Sequence, residues 1–139
     1  MRRYVLNFGE LLDRFCIDHL KYTFLAKDNY IQTIEDIAHD LNEIIEEKNI
    51  KIDAKLIQNI IILAQYNTHI WYNESAVRNG LPGAKLELTH SLNGLRSVAR
   101  NRITSQLGES KFDFKVDCLA ADALVWRPHW LEDKKDETS

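Results

Sequence analysis

The sequence predicts an all-α fold, a single domain resembling a four-helix bundle. Two observations predict it: apolar residues recur at helical spacing along four segments, and five glycines and two prolines leave 139 residues with few interruptions. A chain of this length buries one useful core but is too short for two independent ones. We assign residues 1–131 to one domain that closes with an irregular aromatic segment, and residues 132–139 to a charged tail.

The first helix is predicted to begin near Asn7, whose side chain can cap it. Glu10, three residues later, completes a capping-box pattern. The helix is expected to end near Lys27, because Asp28 and Asn29 offer a break and a new cap. Its apolar positions are Leu11, Leu12, Phe15, Cys16, Leu20 and Phe24.

The second helix is predicted over residues 30–48, and its apolar residues form one stripe. The stripe consists of Ile31, Ile34, Ile37, Ala38, Leu41, Ile44 and Ile45. The acidic residues of this helix are expected to lie in solvent. They are Glu35, Asp36, Asp40, Glu43, Glu46 and Glu47.

Asp53 is a good N-cap for a third helix, which is expected to stop near Arg78 because glycine and proline follow. Leu56, Ile60 and Leu63 begin its inward stripe, and Ile57, Ile61 and Ala64 are expected to widen it. The fourth helix is predicted over residues 84–107, with Gly108 at the position that ends it. Its core side carries Leu88, Leu92, Leu95, Ala99 and Ile103.

Beyond Gly108 the pattern predicts extended packing over residues 112–116 and a short helix capped by Asp117. An aromatic segment, Trp126 to Trp130, is expected to lie back on the bundle.

The composition excludes several classes of function. A net charge of −3 gives no general attraction for nucleic acid or for an anionic membrane. No run approaches the roughly 18 apolar residues of a membrane span, and the N-terminus lacks a signal-peptide pattern. Cys16 and Cys118 lie outside any metal-binding or redox spacing and suit free thiols in a reducing compartment. We therefore predict a cytoplasmic protein.

Charged and amide residues interrupt three of the predicted helices where apolar core would be expected. In the third helix the inward row turns polar halfway, at Asn67, Trp71, Glu74 and Arg78. The first helix carries Glu10, Asp13 and Lys21 on one face, and the fourth carries Asn93, Arg96 and Arg100. These ten residues are called the polar stripes below.

Two interpretations of the polar stripes are open. In one, opposite charges pair with each other and fix the register of the helices, because a buried charge needs a partner. In the other, the stripes line a pocket for an anionic small molecule that contains phosphate, such as a nucleotide, a sugar nucleotide or a nucleotide messenger. The ligand-binding residues would be Lys21, Asn67, Trp71, Arg78, Asn93, Arg96 and Arg100, with Tyr66 or Tyr72 extending the stacking surface of Trp71.

The pocket interpretation requires neither a cofactor nor a catalytic residue. An enzyme alternative places Mg²⁺ on Glu10, Asp13 and Glu74, as in an all-helical nucleotide pyrophosphohydrolase, because Mg²⁺ prefers carboxylates and phosphates. A third alternative is a protein–protein interaction module. Its polar stripes would be structural, and its binding surface would be the second helix or residues 126–130.

At the polar stripes the chain resembles a small all-helical family of bacteria and phages that has no known activity. Its opening motif is similar to Gly9-Glu10-Leu11-Leu12-Asp13-Arg14, and its middle helix has the spacing of Asn67, Trp71, Glu74 and Arg78. Its last long helix has the pattern of Asn93, Arg96 and Arg100, although Gly94 replaces an acidic residue of the family. The resemblance covers residues 8–107, and it implies that these positions form a site without implying an activity.

The abundance of Asn, Lys and Ile and the compact length suit a phage gene. On that interpretation the protein would sequester a host signalling nucleotide in the host cytoplasm. The many isoleucines also predict an exposed apolar face, and with it a homo-oligomer.

Overall fold

The structure, a computed structural model, describes residues 1–25 and 27–108. These residues form four helices and no strand: α1 (Phe8–Leu25), α2 (Asn29–Glu47), α3 (Ala54–Arg78) and α4 (Leu86–Gln106). The predicted all-α fold is confirmed. Within the described residues, no helix combines the length and apolarity needed to cross a membrane. Cys118 and the predicted features of residues 112–131 and 132–139 lie outside the described residues.

All four helices lie close to the predicted positions, and side-chain hydrogen bonds cap the starts of α1 and α3. The cap expected at Asp28 is not formed, because its side chain makes no capping hydrogen bond at the start of α2. The Asn7 Oδ1 atom accepts from the Glu10 N–H at 2.8 Å, and the Glu10 carboxylate accepts from the Asn7 N–H at 3.4 Å, which is a capping box. The Asp53 side chain accepts from the Leu56 N–H at 2.9 Å. Gly108 follows α4 with a φ of +74°, a conformation that glycine adopts at no steric cost.

Helix α1 is the element that the other helices share. It packs against α2, α3 and α4, while α3 and α4 pack along each other and α2 packs on α1. One core joins all four helices, and most of the predicted inward positions belong to it. Its fully buried side chains include Leu11, Ile37, Ile44, Leu56, Leu63, Leu92, Leu95 and Ile103.

Some residues predicted to lie inward are exposed instead. Ile57 and Ile61 of α3 keep 47% and 51% of their surface in solvent, and Phe24 of α1 keeps 47%. Among the described helices α3 contacts only α1 and α4, which cover one side of it. A helix with apolar residues on two adjacent rows therefore buries the row at Leu56 and Leu63 and leaves the other outside.

Gly9 allows α1 and α4 to approach closely. A Cβ atom at this position would lie 2.5 Å from Thr104 Cγ2 and 3.2 Å from the Arg100 carbonyl oxygen. The first distance is far below ordinary van der Waals contact, and the second involves backbone that cannot rotate away. Gly9 thus sets how near the polar residues of α1 and α4 come to each other.

Replacing Gly9 with alanine should therefore lower the free energy of unfolding by about 1–3 kcal/mol. Within a helix the same change would otherwise gain about 1 kcal/mol. Urea unfolding of the variant measures the loss. Adding Thr104→Ser removes the methyl group nearest to the new Cβ, so the double variant should lose less than the sum of the two single variants. Unchanged or increased stability in Gly9→Ala would contradict the close approach.

Candidate functional site

The three polar stripes meet at the carboxylate of Asp13 in α1. This side chain is buried, with 4% of the residue exposed. The Asn67 amide of α3 donates to Asp13 Oδ1 at 2.8 Å, and Arg100 Nη1 of α4 donates to Asp13 Oδ2 at 3.2 Å. Arg96 Nε lies 3.6 Å from the same oxygen. Four of the ten predicted residues therefore form one cluster, which is called the Asp13 cluster below.

Local structure positions each member of the Asp13 cluster. The capping box starts α1 at Phe8, and Gly9 brings the first turn against Arg100 and Thr104. Asp13, one turn farther along, then faces the row of α4 that carries Arg96 and Arg100. The Asn67 amide also donates to the Leu63 carbonyl at 3.2 Å, which fixes its orientation toward Asp13.

The Asp13 cluster contains one negative and two positive groups. Both guanidinium groups approach the same carboxylate oxygen, Asp13 Oδ2. The Arg96 and Arg100 side chains keep 23% and 18% of their surface in solvent. Part of each arginine side chain is therefore next to water.

A second group of predicted residues lies in a cleft between the last turns of α3 and the first turns of α4. The cleft has a volume of about 290 Å³. It is lined by Glu74, Val77, Arg78, Leu86, Thr89, His90 and Asn93, and is called the α3–α4 cleft below. Asn73 holds the two helices together beside it, because its buried amide donates to the Lys85 carbonyl at 3.0 Å and to the Thr89 hydroxyl.

The charges of the α3–α4 cleft are exposed and weakly paired. Arg78 Nη2 lies 3.6 Å from Glu74 Oε2, and the two side chains keep 77% and 41% of their surface in solvent. An exposed pair of this kind contributes less than about 1 kcal/mol to stability. Arg78 can therefore exchange Glu74 for a ligand at little cost.

Asn93 is the residue of the α3–α4 cleft that is nearest along α4 to the Asp13 cluster. It lines the cleft, and Arg96 follows it by three residues on the same face of α4. Thr89 and His90 also line the cleft but were missed in the sequence, although both lie one turn before Asn93. Their position one turn before Asn93, at the start of α4, could have indicated that they lie on the same side of the helix.

Two predicted ligand-binding residues lie elsewhere. Lys21 Nζ is 5.7 Å from the centre of the Tyr30 ring, so this amine faces α2. Trp71 stacks on Phe24, with 6.1 Å between ring centres and an angle of 23°. Tyr72 contacts the edge of the same phenylalanine, whereas Tyr66 is buried, and burial raises its pKa to about 12. Trp71 and Tyr72 thus form a patch with Phe24 near the end of α1 and are not part of the cleft lining.

The three carboxylates that would bind Mg²⁺ in the enzyme alternative each interact with a different group of residues. Glu10 accepts from the Asn7 N–H, Asp13 is surrounded by its own cluster, and Glu74 pairs with Arg78. Among the described residues, the side chains that bring three potential metal-binding atoms together are His39, Asp40 and Glu43. These atoms lie within 4.8 Å of one another.

Asp40 corrects the prediction that the acidic residues of α2 lie in solvent, because this residue is fully buried. Its Oδ1 accepts from the Arg3 N–H at 2.8 Å and its Oδ2 from the Tyr4 N–H at 2.7 Å, while Arg2 Nε lies 3.7 Å away. Burial alone would raise the pKa of Asp40, but these backbone donors, together with Arg2 and His39, outweigh burial and lower it.

The role of Asp40 could have been found in the sequence. Ile37, Asp40, Leu41 and Ile44 are spaced three, one and three residues apart, which places Asp40 within the apolar stripe of α2. Its carboxylate fastens residues 3 and 4 to the surface of α2. Because its oxygens accept from backbone donors, we assign it a structural role.

The chain matches no known family model, no curated protein and no solved structure. The resemblance through the motifs at Gly9, Asn67 and Asn93 therefore stays a prediction, and the case for a function depends on the site itself.

Proposed function

We propose that the protein binds a phosphate-containing small molecule in the α3–α4 cleft, with its anionic group toward Arg78, Asn93 and Arg96. A nucleotide or a phosphorylated sugar is the ligand class that fits best. The observation that carries the proposal is that Arg78 and Asn93 line one cleft, where the Arg78 guanidinium is held only by a long, exposed ion pair with Glu74.

The chemistry of the cleft supports this ligand class. Arg78 offers a planar set of N–H donors to phosphate oxygens, and Asn93 offers a directional amide donor. Glu74 can accept from a hydroxyl or amino group, which a nucleoside or a sugar supplies and a bare phosphate ion does not. A volume of about 290 Å³ lies near the lower limit for small-molecule pockets, which favours one nucleotide over a larger conjugate.

The contacts of the acidic residues support binding of the ligand without its hydrolysis. Asp13 is buried and surrounded by donors, and Glu10 belongs to the capping box of α1, so neither offers a carboxylate to a metal–phosphate complex. A protein that holds a nucleotide without hydrolysing it acts by sequestering it, which agrees with the role proposed for a phage gene.

Isothermal titration of the full chain with nucleotides, phosphorylated sugars and inorganic phosphate tests the proposal. We expect saturable binding of at least one organic phosphate, with weaker binding at high salt because the ion pairs are close to the surface. Arg78→Ala and Asn93→Ala should each weaken that binding by about tenfold or more, which corresponds to roughly 1.4 kcal/mol.

Lys55→Ala is the matched control, because Lys55 is an exposed cation at the other end of α3. This variant should bind like the wild type. Failure of every phosphate compound to bind at millimolar concentration would refute the proposal. Binding that Arg78→Ala and Asn93→Ala leave unchanged would place the ligand outside the cleft.

A further inference from the structure

The side of α3 that faces away from the core has no charged residue over six turns. Ile57, Ile61, Ala64, Thr68 and Tyr72 follow one another at spacings of three and four, along the middle of this side. From Ala54 to Ala76 the positions beside them are also uncharged, over a length of roughly 33 Å. Helices in contact with water normally carry charged residues on that side. This surface is called the uncharged α3 face below.

The uncharged α3 face exposes large apolar side chains to solvent. Ile57, Ile61 and Tyr72 expose 47%, 51% and 55% of their surface. The Thr68 hydroxyl donates to the Ala64 carbonyl at 2.8 Å, so its hydrogen bond is made within the helix and its methyl group is left for contact. Burying this face against another apolar surface therefore requires few new hydrogen bonds.

The end of α1 extends the uncharged α3 face. A groove of about 520 Å³ runs between the two helices and shares Ala64 and Thr68 with a second groove of about 480 Å³ that ends at Tyr72. His19 lines the first groove, but its Nδ1 lies 2.7 Å from the Phe15 carbonyl oxygen and its ring contacts the Phe15 ring. The groove is thus lined mainly by carbon.

We propose that the uncharged α3 face binds a second copy of this chain and forms a two-fold symmetric dimer. A symmetric contact places the same surface against itself, so any net charge on it would face a like charge. This face carries none, and it offers no charge by which a partner of opposite sign would be selected. Its apolar area is the kind of exposed surface that marks a protein–protein contact.

Residue sizes along the face also fit an antiparallel pair of α3 helices. The small residues Ala64 and Thr68 lie at its centre, where two helices can approach closely. A two-fold axis between Ala64 and Gln65 places Ile57 opposite Tyr72 of the second copy, and Ile61 opposite Thr68 of the second copy. Ile61 then meets the smaller Thr68, and the large side chains of Ile57 and Tyr72 meet at the two ends of the contact, away from its narrow centre.

Sedimentation equilibrium of the full chain over a wide concentration range tests the proposal. The wild type should be a dimer at low and at high salt, because the contact contains no ion pair. Ile61→Glu should raise the dissociation constant of the dimer by about a hundredfold or more, since the symmetry introduces the buried charge twice. Leu81→Glu is the matched control, because Leu81 exposes a similar 54% of its surface in the connector after α3. It should remain a dimer.

A monomeric wild type at all concentrations would overturn the proposal, as would a dimer that Ile61→Glu leaves intact. Circular dichroism shows whether Ile61→Glu folds, and Ile57→Lys, at another exposed position of the same face, replaces it if it does not. The α3–α4 cleft lies on a different side of α3, so phosphate binding should be the same in Ile61→Glu and in the wild type. Loss of the dimer is thereby distinguished from loss of the ligand site.

Discussion

Replacing Asp13 with alanine should lower the free energy of unfolding by about 3 kcal/mol, one of the two largest effects that we expect for this chain. The change removes the carboxylate that both Arg96 and Arg100 approach. It also takes away the acceptor of the buried Asn67 amide. Loss of one partner of a buried ion pair costs more than the pair itself contributes, because the remaining charge stays partly desolvated.

Urea unfolding measures this loss. Asp13→Asn keeps the shape of the side chain and an acceptor for Asn67. The stability lost in Asp13→Asn therefore reports the charge, and the further loss in Asp13→Ala reports packing and the hydrogen bond. Glu74→Ala is the matched control: it also removes a carboxylate paired with arginine, but in solvent, and should change stability by less than about 1 kcal/mol. If Asp13→Ala and Glu74→Ala cost the same, the cluster does not hold α1, α3 and α4 together.

The second large effect is expected at Asp40, where alanine should cost about 2–4 kcal/mol. The variant leaves the N–H groups of Arg3 and Tyr4 without their acceptor and creates a small cavity under residues 3 and 4. Hydrogen exchange at these two amides should accelerate in Asp40→Ala. Glu46→Ala, an exposed acidic residue of the same helix, should leave both the stability and the exchange rates unchanged.

Asp40 should also make the stability depend on pH in the acid range. Its pKa in the folded protein lies below the ordinary value of 3.8, so the folded state binds its proton less readily than the unfolded state does. The contribution of the carboxylate is therefore complete above pH 3.8 and is lost as the pH falls through the lower, folded pKa. Burial raises the pKa of Asp18, which acts in the opposite direction.

The difference between the wild type and Asp40→Asn isolates the contribution of Asp40 from that of Asp18. Unfolding measured from about pH 2 to pH 6 should show a difference that shrinks toward the acid end. A constant difference over this range would contradict the lowered pKa.

The helices were readily predicted because the information for them is local. The capping box at Asn7 and Glu10, the Asp53 cap and Gly108 after α4 are each specified by residues within a single turn. Apolar spacing also identified most of the core. The same spacing places Asp40 within the apolar stripe of α2, but the charge of its carboxylate predicts a position in solvent, and that prediction is wrong.

The polar stripes were found in the sequence as departures from apolar spacing, and the structure divides them. Asp13, Asn67, Arg96 and Arg100 meet, while Glu74, Arg78 and Asn93 lie around a cleft and Lys21 turns toward α2. Spacing along one helix cannot predict this division, because it depends on how α1, α3 and α4 are placed relative to one another.

The sequence by itself determined four helices, their ends and the rows of residues that each helix presents together, since these follow from backbone hydrogen bonding and from the 3.6-residue turn. Only the tertiary structure decided which of the two apolar rows of α3 is buried and which groups pair with the carboxylate of Asp40. Both outcomes depend on neighbours distant in the chain: α1 and α4 cover the Leu63 side of α3 and leave Ile61 outside. Residues 3 and 4 supply the donors that make a buried carboxylate at Asp40 stable.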